Sequence, residues 1–515
     1  MRRLLIALVL ALAAAPTATA ARFSLVEARP AARPFLTLTG ARELAPSIDL
    51  WRVPTAVVPQ LRRAGLVRHA QAERRLDTTA VVRTAVDPLV PQEWWLADIG
   101  ADRATAPGPG VPMSIVDTGI DVSHQEFAGR PNLVLLNTQS ISDGNEDFHA
   151  TAVSSVAGAP ENGVGMTGVY PQAVLREYDA DLGGDLTDGS LIAGIEAALR
   201  SGPSVINLSV GSTEYDQALQ DEIYSAVRRG SLVVAASGNS RDQGNPLNFP
   251  ANMSHVLTVA ATDSNDRSAF FSSSSAGVDL SAPGVSILAA VPTLFDRTGY
   301  SLVDGTSFSA PMVAAAAAWV WTVRSDLDNT QLFDLMRWSA RDVETPGFDA
   351  QTGFGVLDIP HALTMTAPAK DPQEPNDDID LVKPGGLFPT GTTPLTTSTK
   401  RTTSLHARLD FTEDPEDVYR IWVPGGRSVA VDVRASKPLA LQVWRPGTAT
   451  VQETGAAKAR DLAATVKRVA THQTLTVQNK TKKGAYYYAD VYAQNGNPSY
   501  DLTVATPKPI KVAKR

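Results

Sequence analysis

Gly305-Thr306-Ser307-Phe308-Ser309-Ala310-Pro311 leads into an alanine run, Ala314 to Ala318. The run predicts a buried helix, and the quoted stretch predicts its start. Pro311 suits a first helical turn, where a missing N–H costs nothing. Gly305 permits a tight approach of the chain before it. A serine placed there meets the backbone N–H groups of the helix end and the positive end of the helix dipole. Those are the donors a nucleophilic hydroxyl needs when it attacks a carbonyl and negative charge develops. A serine or threonine N-cap on a core helix would read the same way. The choice between the two rests on the rest of the chain.

Upstream, apolar β-rich runs alternate with helical segments. The runs are Pro112–Val116, Val134–Leu136, Val174–Tyr178, Val205–Leu208, Leu232–Ala236 and Val256–Ala260. Helix candidates Leu191–Arg200 and Asp216–Arg229 lie between them. This alternation predicts an α/β fold, a mostly parallel sheet with helices on both faces. In such sheets function sits at the carboxyl ends of the strands. Three of those ends carry polar residues beside a glycine: Asp117-Thr118-Gly119, Ser209-Val210-Gly211 and Ser237-Gly238-Asn239. A fourth point is His149, which opens a small-residue helix running to Gly158. Of the seven histidines, it alone has such a setting.

Asp117, His149 and Ser307, in that chain order, resemble the catalytic triad of the subtilisin-like serine proteases, whose own order is Asp, His, Ser. Val116-Asp117-Thr118-Gly119-Ile120-Asp121 resembles the family's Asp motif, and the stretch from Gly305 to Pro311 its Ser motif. Ala236-Ser237-Gly238-Asn239 is similar to the strand end whose Asn is the oxyanion donor. Asn207-Leu208-Ser209-Val210-Gly211 is similar to the substrate-binding strand, and Asp279-Leu280-Ser281-Ala282-Pro283-Gly284 to a further family block. The resemblance covers about residues 87 to 363, and linked motifs in order weigh against a plain N-cap at Ser307.

The resemblance implies a serine endopeptidase acting on protein or peptide substrates. Ser307 would attack, His149 would carry the proton and Asp117 would orient the imidazole. Asn239 and the Ser307 N–H would hold the oxyanion. A peptide would add as a strand to Ser209, Val210 and Gly211 and to the loop around Gly183-Gly184-Asp185. The first pocket would have its wall at Ala236, Ser237 and Gly238 and its floor near Asn248. One position departs from the pattern: the family's Gly after the His is Ala150 here, and the second His often found near Ala152 is absent. The rival reading is a catalytically inactive binding protein on the same scaffold, acting through its C-terminal sandwich. A structural Ca2+ is implied in the same way. Glu126 stands where relatives carry a calcium carboxylate. Pro160-Glu161-Asn162-Gly163-Val164-Gly165-Met166 resembles the loop that supplies an Asn (Asn162) and carbonyl ligands (Pro160, Val164, Met166). Gln92 would complete the set.

Around this core the chain has other parts. Residues 1–20 read as a secretory signal peptide: Arg2 and Arg3, a short apolar run Leu4–Ala15, and Ala18-Thr19-Ala20 for cleavage. The run is shorter than the roughly 20 residues of a membrane span. A secreted, extracellular monomer with no membrane contact after signal removal is expected. Its formal net charge of −8 argues against nucleic acid. With no cysteine there is no disulfide, which makes a metal ion the expected extra source of stability. Residues 21–90 are basic where the remainder is acidic. They read as a small α+β propeptide, with strands at Phe35–Thr39 and Ile48–Val53, a helix at Pro59–Leu66, and extended chain from Val67. This segment is expected to inhibit the catalytic domain, 91–366, from within the same chain. Self-cleavage is expected in the extended stretch from Leu76 to Val90. Residues 367–384, rich in Pro and acids, read as a linker. Residues 385–505 read as an all-β sandwich with strands at Val418–Val423, Val429–Val433, Leu439–Val443 and Tyr486–Val491. Residues 506–515 read as a basic tail. Glu374-Pro375-Asn376-Asp377, Asp417-Val418-Tyr419 and Tyr500-Asp501-Leu502 resemble the pre-peptidase C-terminal domains of secreted bacterial proteases.

Overall fold

Residues from Phe23 to Ala72 build a four-stranded antiparallel sheet. Its strands are β1 (Phe23–Ala28), β2 (Arg42–Ala45), β3 (Leu50–Pro54) and β4 (Val67–Ala72), in the order β2-β3-β1-β4. The computed structural model describes residues 23–73, 77–78, 81–83, 90–137, 148–181 and 185–506. The signal peptide, most of the expected self-cleavage stretch, Gly183-Gly184 and the tail from 507 on lie outside the described residues. The chain divides into two units, Met1–Ala367 and Pro368–Arg515.

The helix expected at Pro59–Leu66 forms as Val58–Arg63, and Gly65 follows at φ +67°. The strand expected at Phe35–Thr39 does not form; Arg33–Leu36 is a short helix with Pro34 in its first turn. Phe35 and Leu36 are both buried, whereas Leu38 is exposed. Adjacent residues on a strand point to opposite faces, and a helical turn lets this pair enter one core. Beyond β4 come two short strands. β5 (Asp77–Thr78) pairs antiparallel with Val210–Gly211, and β6 (Val81–Arg83) pairs antiparallel with Leu302–Asp304.

The centre of the first unit is an all-parallel sheet. Its strands are β7 (Met113–Asp117), β8 (Leu133–Leu135), β9 (Leu175–Asp179), β10 (Val205–Leu208), β12 (Leu232–Ala236), β13 (Val256–Thr262) and β14 (Leu280–Pro283). The order is β14-β13-β12-β10-β7-β9-β8, with β11 (Val210–Gly211) just beyond β10. Alternate residues serve opposite faces. Ile115, Val205, Val234 and Leu257 share a core with the helices His149–Gly158 and Thr306–Val323. Val116, next to Ile115, packs on Gly194 of the helix Asp188–Arg200, so closely that a Cβ there would lie 2.2 Å from it. That helix pairs with Gln217–Arg228, and the β1–β4 sheet docks on these two. An antiparallel pair, β15 (Ile287–Ala290) and β16 (Tyr300–Asp304), precedes the Ser307 helix. Neither this pair, β14, nor the helix Asn329–Trp338 was among the expected elements.

In the second unit, the stretch expected to be a linker is folded. Residues Ile379–Val382 form a helical turn, and Asn376, Ile379 and Val382 are fully buried. The strands are β17 (Thr402–Arg408), β18 (Glu416–Val423), β19 (Ser428–Trp444), β20 (Leu462–Thr465), β21 (Ala470–Gln478), β22 (Ala485–Tyr492) and β23 (Ser499–Ala505). The two strands expected at Val429–Val433 and Leu439–Val443 are one, β19, whose register shifts between Arg434 and Leu439. Its first half lies in the layer β17-β23-β19-β21 and its second half in β18-β22-β19-β20. One strand thus serves both layers of an antiparallel sandwich, with Tyr419, Val431, Leu441 and Leu502 in the core between them.

Candidate active site

The carboxyl ends of β7 and β10 and the residues after β12 meet the starts of two helices. Asp117 is the last residue of β7 and His149 the first of its helix. The His149 Nδ1–H donates to Asp117 Oδ1 at 2.7 Å, and both residues are fully buried. The Thr118 N–H donates to the same oxygen at 2.7 Å, which fixes the carboxylate. The His149 ring lies 6.0 Å from that of Phe308, the residue after Ser307. His149 Nε2 is buried and has no hydrogen-bond partner among the described residues.

The Ser307 helix begins at Thr306, with Gly305 as its N-cap at φ +152°, so Ser307 is not the cap. Pro311 is the sixth helical residue rather than a member of the first turn. Its missing N–H leaves the Ser307 carbonyl without its helical donor. The Ser209 hydroxyl takes that place, donating to the Ser307 carbonyl at 2.9 Å, while the Ser307 hydroxyl donates to the Ser209 carbonyl at 3.1 Å. The Asn207 side chain holds Ser209 Oγ at 2.9 Å. Ser307 is fully buried.

Asn239 follows β12. Its Oδ1 accepts from the Thr306 N–H at 3.0 Å and the Thr306 hydroxyl at 2.9 Å. This bonding assigns the other amide atom as Nδ2, which is buried and has no hydrogen-bond partner among the described residues. Ala236, Gly238 and Gly211 converge on Asn248. The Asn248 amide donates to the Ala236 carbonyl at 3.4 Å, and a Cβ on Gly211 would lie 2.5 Å from that amide nitrogen. A Cβ on Gly238 would lie 3.1 Å from Asn248 Cβ, and Gly238 sits at φ +104°, so close approach favours glycine at the first position and backbone conformation at the second. Ser237 is buried beside them. Val210 and Gly211 carry the pairing with β5. Of the Gly183-Gly184-Asp185 loop, only Asp185 is described. Ala150 is buried within regular helix, its N–H 3.3 Å from the Thr118 hydroxyl, and its position does not call for glycine.

Sequence reasoning missed Thr306, which orients Asn239, and Glu177 on β9. Burial, and then the Asp117 charge, push Glu177 up to about 8, although the Ser154 hydroxyl donates to it at 2.9 Å. A carboxylate inside β9, between Arg176 and Asp179, was the available signal.

The expected calcium residues meet in part. Glu126 is buried, and its Oε1 accepts from the Tyr300 hydroxyl at 2.5 Å and the Met166 N–H at 2.9 Å. Its Oε2 is buried without a hydrogen-bond partner among the described residues. Asn162 is exposed, with its Oδ1 accepting from the Val164 N–H at 2.8 Å. Pro160 and Val164 lie on the same loop. Gln92 is exposed; its neighbour Glu93, buried, reaches the loop instead and accepts from the Thr167 N–H at 2.9 Å. Burial, and then the Glu126 charge, push Glu93 up to about 7. Two buried carboxylates therefore take the consecutive N–H groups of Met166 and Thr167.

The sequence pattern of the subtilase family matches residues 108–355. Subtilisin DY of Bacillus licheniformis is 32% identical over 268 residues, covering 51% of this chain and 94% of that protein. Subtilisin BL of Lederbergia lenta is 36% identical over 245 residues, covering 45% of this chain and 87% of that protein. The minor extracellular protease Epr of Bacillus subtilis (strain 168) is 30% identical over 342 residues, covering 65% of this chain; the match spans 50% of that relative's length. The crystal structure of fervidolysin from Fervidobacterium pennivorans, a keratinolytic enzyme related to subtilisin, matches with a TM-score of 0.57 at 18% identity, covering 89% of this chain and 85% of fervidolysin. That last likeness is one of fold. Because the sequence matches span nearly the whole of two subtilisins, the chain belongs to the subtilase family of serine endopeptidases.

Proposed function

We propose that this chain hydrolyses peptide bonds with Ser307 as nucleophile, His149 as general base and acid, and Asp117 as the group that orients the imidazole. The carrying observation is the 2.7 Å Asp117–His149 bond beside the start of the Ser307 helix. Two buried atoms without a hydrogen-bond partner among the described residues, His149 Nε2 and Asn239 Nδ2, supply a proton acceptor and an oxyanion donor. For attack, the Ser307 hydroxyl turns from the Ser209 carbonyl to His149 Nε2. The hydroxyl proton passes to the imidazole, Asp117 stabilises the imidazolium, and the proton goes on to the leaving amine. Asn239 Nδ2 and the Ser307 N–H, at the positive end of its helix, hold the oxyanion.

The segment before the catalytic domain serves as its inhibitor. β5 lies along Val210–Gly211 as an antiparallel strand, the place of a peptide substrate, and β6 leaves along Leu302–Asp304. Glu73 anchors the segment: its carboxylate accepts from the Thr187 hydroxyl at 3.2 Å, at the start of the helix Asp188–Arg200, where a negative charge is favoured. The burial of Ser307 fits this closed state. Secretion fits the charged and apolar first 20 residues and the extracellular relatives.

Glu126, Glu93 and the carbonyls of the 160–167 loop suit a hard cation such as Ca2+, because two desolvated carboxylates sit there without a cationic side chain bonded to either among the described residues. Its chemistry would be charge neutralisation that ties the loop to the domain. The test of the catalytic reading is labelling of processed protein with a fluorophosphonate. Ser307 should be labelled, and Ser307→Ala should be neither labelled nor active. Peptide hydrolysis by Ser307→Ala at near the parent rate would overturn the assignment.

A further inference from the structure

The crevice beside the nucleophile is occupied by a side chain of the protein itself. Two chain segments flank it. Ser209-Val210-Gly211 forms one wall, and its Ser209 carbonyl accepts from the Ser307 hydroxyl at 3.1 Å. Ala236-Ser237-Gly238 forms the other and leads directly into Asn239. Asn248 lies between them. A Cβ on Gly211 would come within 2.5 Å of the Asn248 amide nitrogen and 2.8 Å of its amide oxygen, and a Cβ on Gly238 within 3.1 Å of its Cβ and Cγ. The side chain therefore spans the gap between the two glycine faces. Asn248 is 8% exposed, and its amide donates to the Ala236 carbonyl at 3.4 Å. Its backbone is held as well, because Asn252 donates to the Asn248 carbonyl through its N–H at 3.0 Å and its Nδ2 at 2.8 Å.

Such a crevice has little depth left. A flat ring or a long aliphatic chain entering between Gly211 and Gly238 needs the space that the amide holds. Packed protein offers no spare volume for both, and forcing them together strains the walls. A short side chain stays above the amide. The sequence supplies a second observation. β5 ends at Thr78, opposite Val210, and β6 begins at Val81, opposite Asp304. The bonds between these two residues follow Thr78, Thr79 and Ala80. Whichever of them the enzyme cuts in its own chain, the residue whose carbonyl is attacked is Thr or Ala.

We propose that Asn248 restricts the first pocket to short side chains, so that this chain's substrates are polypeptides cut after Ala, Ser or Thr and not after an aromatic or long aliphatic residue. This rests on the peptidase reading and adds the substrate class to it. Asn248 acts on specificity alone: it meets the side chain beside the cut bond and none of the reacting atoms. The alternative is that the amide swings aside when a large side chain enters, which leaves the pocket indifferent to size.

Internally quenched peptides that differ only in the residue before the cut bond, Ala, Thr, Leu or Phe, separate the two. They are assayed on processed protein whose reactive Ser307 is counted with a fluorophosphonate, and the cut position is read by mass spectrometry. In the parent, kcat/KM for Ala and Thr should exceed that for Leu and Phe by about tenfold or more. Asn248→Gly empties the crevice and should move the Phe-to-Ala ratio about tenfold or more towards Phe. A structural defect would lower all the peptides together and leave that ratio where it was. A labelled parent that cuts after Phe or Leu as fast as after Ala, or a labelled Asn248→Gly protein with the parent's ratio, would overturn the assignment while leaving the peptidase reading in place. A parent that neither takes the label nor cuts any peptide would overturn both. Should Asn248→Gly yield no protein that takes the label, Asn248→Ala carries the same comparison.

Discussion

Ser209 and Ser307 exchange two hydrogen bonds, each hydroxyl donating to the other's carbonyl. The exchange exists because Pro311 cannot donate to the Ser307 carbonyl from within the helix. Ser209→Ala removes the hydroxyl that donates to the buried Ser307 carbonyl and should cost about 1–3 kcal/mol in stability. Pro311→Ala restores a backbone N–H at the right position, so the double variant should lose less than Ser209→Ala alone. Urea unfolding of the four proteins in the Ser307→Ala background closes this cycle on backbone effects. Strict additivity would show that Pro311 is not the reason for the exchange.

Thr306 is the second control on the site. It holds Asn239 Oδ1 through both its N–H and its hydroxyl. Asn239→Ala should lower kcat by about 10² to 10³, the range that removal of the same kind of donor produces in subtilisin. Thr306→Val keeps the N–H and removes the hydroxyl. It should lower kcat by a smaller factor with KM nearly unchanged, because an oxyanion donor acts mainly in the transition state. A rise in KM at constant kcat would place Thr306 in ground-state binding instead.

The pairing of β5 with β11 and of β6 with β16 brackets self-cleavage between Thr78 and Val81. The mature protein should therefore begin at one of residues 79 to 81, as read by N-terminal mass spectrometry. Ser307→Ala should retain the segment uncut. A mature start beyond Val81, or a fully active uncut chain, would contradict the docking of β5 as a substrate-like strand.

Glu177 should make stability pH-dependent. Its native value is pushed up to about 8, chiefly by burial, whereas an unfolded Glu titrates near the ordinary 4.5. The native state thus keeps a proton that the unfolded state loses. Stability from this group is full below about pH 4.5, falls as pH rises, and has gone above about pH 8. Glu177→Gln stays neutral and should melt above the parent at pH 9 while matching it near pH 5. Parallel melting curves across that range would mean that Glu177 is already ionised in the native state.

The parallel sheet was legible because its central strands are buried on both faces and read as unbroken apolar runs. Val205–Leu208 and Leu232–Ala236 fall where those runs predict. The Asp, His and Ser motifs were legible for a related reason, since each sits where a strand or helix boundary forces small residues on the chain. Contacts set by tertiary packing were not legible. Phe35 and Leu36 look alternating but enter one core from a helical turn, and β19 runs through Ser436-Lys437-Pro438, which reads as a turn until two sheets are seen to share one strand. Glu93 was one residue from the expected Gln92, and side-chain direction in the turn decided between them. Ser209 was read for its backbone, and its hydroxyl matters only because Pro311 sits deeper in the helix than its sequence position suggested.

Docking of the β1–β4 segment should weaken as pH rises. Glu27 of β1 is buried against the helix Gln217–Arg228. Burial pushes its carboxyl well above the ordinary range, and Asp221 and then Asp216 add to this while Arg68 of β4 opposes it. Tyr215, just before that helix, also lies within reach of the Glu27 charge. Docked, Glu27 keeps its proton; once the segment separates, the same carboxyl is solvated and titrates near 4.5. The docked state therefore binds a proton that the free segment gives up as pH rises above about 4.5. Docking is favoured fully below about pH 4.5 and loses that contribution progressively above it, so release is promoted at neutral and alkaline pH. Glu27→Gln mimics the protonated group and should hold the cleaved segment on the enzyme at pH 8 as firmly as at pH 5. Gel filtration of processed protein at the two pH values reads this directly. Equal retention of the parent segment at both, or loss of the Glu27→Gln segment at pH 8, would remove Glu27 from the control of release.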